Sequence, residues 1–468
     1  MERITVTFEG EGAATGELTW GQQQVFQAMR EMNSSMSMGG VVPVHDGRTV
    51  ADFADELRFF MSRYPSMRTL LRFAPDGRTT QETFGSGEAY LEVHTAEASA
   101  AATVAAPAVS SSSSSLVPVA SVALPAAAEA LAAEVFAAWK SRPFDYGTEW
   151  PIRMAVVRSG AGGPVTHVLV EVTHIATDVT GLATMIRELS QRDSLGPEPV
   201  PGPLDIAAQQ CSATRQTDNA MRHWESQLRA VNPQRFPLGY RDPAAPRFRQ
   251  VVWASRALHA ASERLAARLA IDTAPILLAA YAVAFTRVVG GAPFATQVIV
   301  GNRFRPGLAE VVSPLSQNGL VVLDPRTITA AEAVLRARQA SMSASKYAYY
   351  DPQARQALLE RVAKDRGEPI DLQVFYNERR LALRPPATAA DDGAIRALRR
   401  ETALIRETEL PYFNEKLMVN IDDVPDTVQI TTEVDTAYLT IPRLHLLLAE
   451  MEHFTVEGAL NPEAPAIP

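Results

Sequence analysis

The chain has little that would support nucleic-acid binding or disulfide bonding. Cys211 is the only cysteine among 468 residues, which excludes an internal disulfide and any metal site built from several cysteines. The formal net charge is -9, whereas a general nucleic-acid-binding protein needs a concentrated positive surface. We therefore expect no nucleic-acid partner.

Long hydrophobic segments are also lacking. The longest apolar run, ILLAAYAVAF, is shorter than the roughly 20 residues that a bilayer-spanning helix requires. The N-terminal stretch MERITVTFEG has neither the basic nor the apolar region of a signal peptide. These absences predict a cytoplasmic protein with no membrane partner. The hydrophobic fraction of 46% supports a large core, and the length suits two or three domains.

One segment differs in composition from the rest of the chain. Residues 95–130 are rich in alanine, serine and valine, and they include the run Ser110–Ser115. Such low complexity without sustained periodicity predicts a flexible surface insertion in the N-terminal part. Good helix formers return after Pro125, in the stretch AAAEALAAEVFAAWK, which favours a helix there.

A proline-rich segment marks the predicted domain boundary. The stretch from Gly196 to Pro203 contains EPVPGP, and each of the two regions that it separates alternates helix and strand signals. We therefore predict an N-terminal lobe over residues 1–195 and a C-terminal lobe over residues 196–468.

The stretch VLVEVTHIATDVTGLATMIREL carries the most chemical information. Valines at every second position up to Val172 have the period of a half-buried strand. Helical spacing begins at Leu182, so HIATDVTG is predicted to connect the strand to the helix. Functional side chains often project from such connections, and His174 is the side chain whose pKa suits proton transfer near neutral pH.

Taken alone, His174 and Asp178 leave several interpretations open. Asp178 either orients the imidazole or pairs with an arginine that holds the loop. Such a pair is more often a structural histidine with a helix-capping aspartate than a catalytic pair. A metal site is disfavoured, because two ligands without a third nearby do not complete a coordination shell.

Around this loop the sequence resembles the condensation domains of nonribosomal peptide synthetases, whose core motif is HHxxxDG followed by a helix. The aligned residues are Thr173, His174, Asp178 and Val179, so threonine replaces the first histidine and valine replaces the glycine. Further family segments are similar, in the same order, to LTWGQQQVFQAM, YPSMRTLLRF, RPFDYGTEWPIRMAVVR, AMRHWESQL, ILLAAYAVAF, VIVGNRFRPGLAEVV and IPRLHLLLAEMEHF. The resemblance therefore covers nearly the whole chain.

The resemblance implies an α/β (α+β) fold with two chloramphenicol acetyltransferase-like lobes, which form a V-shaped pseudo-dimer with a central tunnel. It implies acyl- or peptidyl-carrier proteins as partners, whose phosphopantetheine arms bring an acyl thioester and a nucleophile into the tunnel. It implies no cofactor bound by the chain itself, since the substrates arrive on those arms. The chain ends soon after its last family-like helix, which predicts a free-standing enzyme with partners in trans.

The resemblance also assigns residues. His174 is the predicted catalytic residue, which accepts the proton of the nucleophile or hydrogen-bonds it in the transition state. Asp178 and Arg303 are predicted to form an ion pair that supports the loop. Three further residues are predicted to line the tunnel, namely Thr173, Gly181 and Asn318.

Three functions remain as hypotheses. The first is condensation of a carrier-bound acyl or aminoacyl thioester with an amine or hydroxyl nucleophile, giving an amide or ester in natural-product biosynthesis. The second is a soluble acyltransferase that uses coenzyme A thioesters. The third is a catalytically inactive condensation-like module that recruits partner proteins. Val179 favours the third, because a β-branched residue resists backbone conformations that glycine tolerates. The family's asparagine segment, which is poorly kept at Ser313–Leu320, also favours the third. The motifs that follow the family's order favour the first.

Overall fold

The computed structural model describes residues 1–97, 120–196, 200–236, 239, 242–243, 245–380 and 391–467. Most of the predicted insertion therefore lies outside the described residues. By its internal contacts the chain forms two compact units. Unit 1 comprises Met1–Ser212 with Arg303–Leu315, and unit 2 comprises Ala213–Asn302 with Ser316–Pro468.

Unit 1 contains eight strands and five α-helices in its described part. The strands are β1 (Glu2–Glu9), β2 (Ala14–Glu17), β3 (Met38–Pro43), β4 (Thr69–Phe73), β5 (Thr79–Thr83), β6 (Ser86–Ala96), β7 (Ile152–Ser159) and β8 (Val165–Val172). The helices are α1 (Trp20–Glu31), α2 (Val50–Arg63), α3 (Ala120–Ser141), α4 (Val179–Ser190) and α5 (Pro203–Cys211). The strands form one sheet in the order β1-β6-β7-β8-β3 and a smaller one in the order β2-β5-β4.

The strand β8, which leads to His174, is buried on both faces. On one face Val168 and Val172 belong to the same core cluster as Phe53 of α2. On the other face Leu169 packs in a cluster with Ala132 of α3. The alternating valines had predicted a half-buried strand, and the second buried face arises because α3 covers it. A strand packed on both sides provides a rigid base for the loop that follows.

Unit 2 contains the remaining described elements. Its strands are β9 (Phe248–Ser255), β10 (Phe294–Val300), β11 (Gln317–Leu323), β12 (Val374–Glu378), β13 (Ala403–Leu410), β14 (Leu417–Asp422) and β15 (Val428–Asp435). Its helices are α6 (Thr214–Ala230), α7 (Arg256–Leu269), α8 (Thr273–Val288), α9 (Ala330–Lys346), α10 (Pro352–Arg366), α11 (Asp392–Leu398) and α12 (Ile441–Leu460). The strands form a sheet in the order β11-β10-β12-β14-β15-β9-β13.

The main core of unit 2 lies on one face of this sheet. Every residue from Ile276 to Phe285 of α8 is buried, and α12 packs against both α7 and α8. None of the described helices is by itself long and apolar enough to cross a membrane. The helices α7 and α8 meet those criteria only when they are taken together, and they are bent by 114° at their junction.

The mixed α/β fold implied by the resemblance is confirmed. By their contacts, residues 200–212 and residues 303–315 pack with unit 1, whereas the predicted C-terminal lobe included both. The segment that contains α5 packs with unit 1 because α5 contacts β2. The Gln210 side chain also accepts a hydrogen bond from the Trp20 backbone N at 2.8 Å. The division into two acetyltransferase-like lobes at residue 195 stays a prediction.

Candidate active site

A buried ion pair holds the end of β8. Arg153 of β7 lies directly opposite Glu171 of β8, and its guanidinium donates to the Glu171 carboxylate at 2.9 Å. Glu171 also accepts a hydrogen bond from the Ser37 hydroxyl at 2.5 Å. Only 6% of the Arg153 side chain and 1% of the Glu171 side chain are exposed, so water screens the pair weakly. The strand end before Thr173 is therefore fixed in place.

Ser35 holds the first two residues of the loop. Its carbonyl accepts hydrogen bonds from the Thr173 hydroxyl at 3.2 Å and from the His174 backbone N at 3.4 Å. Its own hydroxyl accepts a hydrogen bond from the Tyr146 phenol at 2.9 Å. Burial raises the pKa of Tyr146, so the phenol stays protonated and remains a donor across the neutral range.

The imidazole of His174 is oriented by a backbone carbonyl. Its Nδ1 lies 2.8 Å from the Thr177 carbonyl oxygen, which can only accept a hydrogen bond. Nδ1 must therefore carry the proton, and in the neutral ring Nε2 keeps its lone pair. Nε2 has no hydrogen-bond partner within the described part of the chain. The side chain is only partly buried, so Nε2 is available as a proton acceptor.

Asp178 both caps the next helix and pairs with an arginine. Its Oδ1 accepts from the Gly181 backbone N at 2.9 Å, as expected for a residue that caps α4. Arg303 donates to the same oxygen at 2.5 Å, and Oδ2 accepts from the Leu315 backbone N at 3.3 Å. Of the two roles considered for Asp178, the structure shows the arginine partner and not a hydrogen bond to His174.

Arg303 folds its own loop around Asp178. The same guanidinium donates to the carbonyls of Val311 at 2.6 Å and Ser313 at 3.2 Å. The side chains of Arg303 and Asp178 are 12% and 7% exposed, so this is a buried ion pair with several additional hydrogen bonds. The carbonyl that orients His174 belongs to Thr177, the residue before Asp178. The pair therefore fixes the segment that sets the direction of the imidazole.

The requirement for a small residue lies at Gly181. Val179 is the first residue of α4, is 58% exposed and does not have a positive φ angle, so its branched side chain causes no strain. A Cβ atom at Gly181, in contrast, would clash with the Thr177 hydroxyl and lie 3.3 Å from the Arg303 guanidinium. The glycine that permits close approach thus lies two residues beyond the position in the family motif.

We expect Gly181→Ala to lower the free energy of unfolding by about 1–3 kcal/mol, the usual cost of overpacking a buried site. Chemical denaturation would measure the change. The double variant Thr177→Ala with Gly181→Ala should recover much of the loss, because the clashing hydroxyl is gone. Thr180→Ala serves as the control on the neighbouring, less buried position. An equal loss of unfolding free energy in Gly181→Ala and Thr180→Ala would contradict the proposed clash.

The structure brings His174, Asp178 and Arg303 together in unit 1. Of the other predicted site residues, Gly181 donates to Asp178, and Thr173 shares the Ser35 carbonyl with His174. Thr173 is fully buried, with its hydroxyl bonded to Ser35. Asn318 lies on β11 in unit 2, where its amide donates to Gln297 at 3.2 Å. The assignment of Thr173, Gly181 and Asn318 to a tunnel stays a prediction.

Sequence reasoning missed Ser35, Thr177 and the pair of Arg153 with Glu171. Ser35 and Thr177 contact His174 through backbone carbonyls, which every residue has, so no side-chain pattern could identify these contacts. The Arg153–Glu171 pair had a weak signal, because charged residues in two otherwise apolar strands are seldom buried without a partner. Within the described residues, no group of three or more histidine, cysteine, aspartate or glutamate side chains could hold a metal ion.

A family model described as "Condensation domain" matches residues 15–380 of the chain. The chain belongs to the condensation domain family. This match and the solved structures below confirm the predicted resemblance. No curated protein matches the sequence, so the family model and the solved structures carry the comparison.

Several solved structures share the fold across nearly the whole chain. The condensation domain from Monacolin K polyketide synthase MokA has a TM-score of 0.69 at 16% identity, covering 97% of this chain and 99% of that one. A structure on condensation domain-mediated chain release from the enacyloxin polyketide synthase has a TM-score of 0.68 at 17% identity, with coverage of 97% and 84%. The X-domain in a complex with OxyB from teicoplanin biosynthesis has a TM-score of 0.65 at 16% identity, with coverage of 98% and 96%.

Proposed function

We propose that this condensation domain joins an acyl or aminoacyl group, held as a thioester on a carrier protein, to an amine or hydroxyl nucleophile. The observation that carries the proposal is the state of His174. Its Nδ1 is committed to the Thr177 carbonyl at 2.8 Å, which leaves Nε2 as an accessible base in the position where the family motif has its second histidine. Family members are generally acyltransferases, and this geometry suits that chemistry.

In the proposed reaction, the nucleophile attacks the thioester carbonyl while Nε2 of His174 accepts its proton or a hydrogen bond from it. The tetrahedral intermediate then collapses, the carbon–sulfur bond breaks, and the thiolate leaves and takes up a proton. A thioester and an amine are already reactive, so much of the rate enhancement would come from holding them in attack geometry. General base catalysis adds typically 10²–10⁴-fold.

The structure bears on the choice between a catalytic and a recruiting role. The solved structures of this fold include one on condensation domain-mediated chain release and one of an X-domain in a complex with OxyB, so both a chain-release step and a protein complex are represented among them. Val179 was one of the two features that favoured an inactive module, and it lies without strain at the start of α4. With that objection removed, the orientation of His174 supports catalysis.

The direct test supplies the purified chain with a panel of carrier proteins whose phosphopantetheine arms are acylated, together with a panel of amines and alcohols. Mass spectrometry would detect the amide or ester. We expect a product that depends on both the chain and the carrier. Equal transfer from the matching free coenzyme A thioester would instead indicate the soluble acyltransferase. Unchanged product with a His174→Asn variant would contradict the role of His174.

A further inference from the structure

The segment between α1 and β3 has an unfavourable backbone conformation at Met36. Asn33 and Met36 both have positive φ angles, of 46° and 45°. Asparagine tolerates this left-handed region, whereas a longer side chain such as that of methionine has a steric cost there. Ser35 directly precedes Met36 in this segment. A strained conformation persists only where surrounding contacts hold it, so the contacts of Ser35 decide whether the segment keeps this shape.

Two donors from one loop hold the Ser35 side chain. Its hydroxyl oxygen accepts hydrogen bonds from the Tyr146 phenol at 2.9 Å and from the Phe144 backbone N at 3.1 Å. A hydroxyl oxygen has two lone pairs, so these donors use both of them. The segment is therefore attached to the loop before β7. Of the two donors, the Tyr146 phenol is the one that a substitution can remove, since the other is a backbone group.

Tyr146 is itself fixed by two other elements of unit 1. Its backbone carbonyl accepts a hydrogen bond from the backbone N of Leu71 in β4 at 2.8 Å. Its ring meets that of Phe26 in α1 edge to face, with the ring centroids 6.1 Å apart, which is a favourable arrangement for two aromatic rings. A phenol held in this way has little freedom to move, and so it can keep the strained segment in place.

The backbone carbonyl of Ser35 contacts the active-site loop. It accepts hydrogen bonds from the Thr173 hydroxyl and the His174 backbone N. Burial raises the pKa of Tyr146, and hydrogen bonding to Ser35 and Thr173 partly offsets this effect, so the phenol lies close to both hydroxyls. Thr173 is the residue that replaces the first histidine of the family motif. Hydroxyl groups thus connect Tyr146 to the residue before His174.

We propose that Tyr146 is a positioning residue for His174 and acts through Ser35. Its phenol holds the strained segment so that the Ser35 carbonyl faces Thr173 and His174. Without the phenol, we expect the segment to relax towards a negative φ angle at Met36, which turns the Ser35 carbonyl away from the loop. A displaced base slows the reaction, because small misplacements of reacting groups are costly. The effect on the reaction rate rests on the proposed function, whereas the effect on the His174 backbone does not.

The kinetic test compares Tyr146→Phe, Ser35→Ala and the double variant in the full chain. For each single variant we expect kcat to fall about three- to tenfold, which corresponds to the loss of one hydrogen bond, while KM stays unchanged. The double variant should be no slower than Ser35→Ala, because both substitutions remove the same contact. Losses that add in the double variant, or an unchanged kcat in Tyr146→Phe, would overturn the proposal.

Amide hydrogen exchange tests the same contact without any substrate. The His174 backbone N–H donates to the Ser35 carbonyl, so its exchange rate reports directly on that hydrogen bond. We expect this exchange to be about tenfold faster in Tyr146→Phe and in Ser35→Ala than in the native chain. An unchanged rate in both variants would overturn the proposal. If the native chain formed no product with any acylated carrier, the proposed function would fail, and faster exchange would still support the positioning of His174 by Tyr146.

Tyr64→Phe is the matched control, because Tyr64 is a buried tyrosine of unit 1 whose phenol donates to Glu188 at 2.9 Å. Glu188 keeps its pair with Arg63 in this variant. We expect a lower melting temperature, with kcat and the exchange rate at His174 unchanged. Equal effects in Tyr64→Phe and Tyr146→Phe would indicate a general loss of stability and would overturn the proposal. If Tyr146→Phe fails to fold, Ser35→Ala decides by the same two measurements, since it is a smaller change at a partly buried position.

Discussion

His174→Asn is expected to lower the rate of amide or ester formation by about 10²–10⁴-fold, the usual contribution of a general base. The asparagine amide lies where Nδ1 lies in histidine, so it can still donate to the Thr177 carbonyl that holds the ring at 2.8 Å. It has no atom in the place of Nε2. The variant therefore removes the proton acceptor while keeping the hydrogen bond that orients the loop. Product formation under single-turnover conditions would measure the effect.

His174→Gln is the complementary variant. Its side-chain amide reaches the position of Nε2 but leaves the Thr177 carbonyl without its donor. If proton acceptance is the role of His174, both variants should be slow, because neither has a basic nitrogen. If the histidine only supports the loop, His174→Asn should keep activity within about threefold of the native chain, well short of what a general base contributes. Melting temperatures would confirm that both variants remain folded.

Arg303→Met is expected to destabilise the chain by about 3–5 kcal/mol, the usual cost of removing one partner of a buried ion pair. The loss is large because Asp178 would remain charged with only 7% of its side chain exposed. The carbonyls of Val311 and Ser313 would also lose a donor. Chemical denaturation would measure the free energy of unfolding. Because unit 1 contains all these groups, its unfolding transition should move most.

Arg187→Met provides the matched control. Arg187 of α4 pairs with Glu310, and so it joins the same helix to the same loop as Arg303 does. Its side chain is 48% exposed and that of Glu310 is 61% exposed, so we expect a loss below about 1 kcal/mol. A similar loss in both variants would mean that burial does not decide the strength of the Arg303–Asp178 pair. In the double variant Arg303→Met with Asp178→Asn, replacing Asp178 should cost less free energy of unfolding than it does in the native chain, because its cationic partner is already gone.

The strand, the loop and the helix around His174 could be predicted because each has a local pattern. The alternating valines of β8 predicted a strand, and the helical spacing that begins at Leu182 predicted a helix. The helix begins at Val179 instead, because Asp178 caps the first turn. The helix cap and the ion pair with Arg303 are both present, since one carboxylate can accept several hydrogen bonds.

The significance of Val179 could not be judged from the motif. The replacement of glycine by valine had favoured a catalytically inactive module. A helix can begin with a β-branched residue whose side chain points to solvent, as Val179 shows with 58% exposure. The tight position is Gly181, and it is tight because of Thr177 and Arg303. Arg303 is more than a hundred residues away in sequence, so no local pattern could have indicated this constraint.

The amino-acid sequence by itself determined the family, the mixed α/β fold, and the choice of His174, Asp178 and Arg303. The resemblance of its ordered motifs to the condensation domain family carries these features, and a sequence displays such motifs directly. The tertiary structure decided which nitrogen of His174 carries the proton, through the Thr177 carbonyl. It also decided that the Glu433 carboxylate lies between the side-chain amides of Gln250 and Asn420, which donate to its two oxygens. Both depend on backbone groups or on strands distant in sequence, and only folding brings these together.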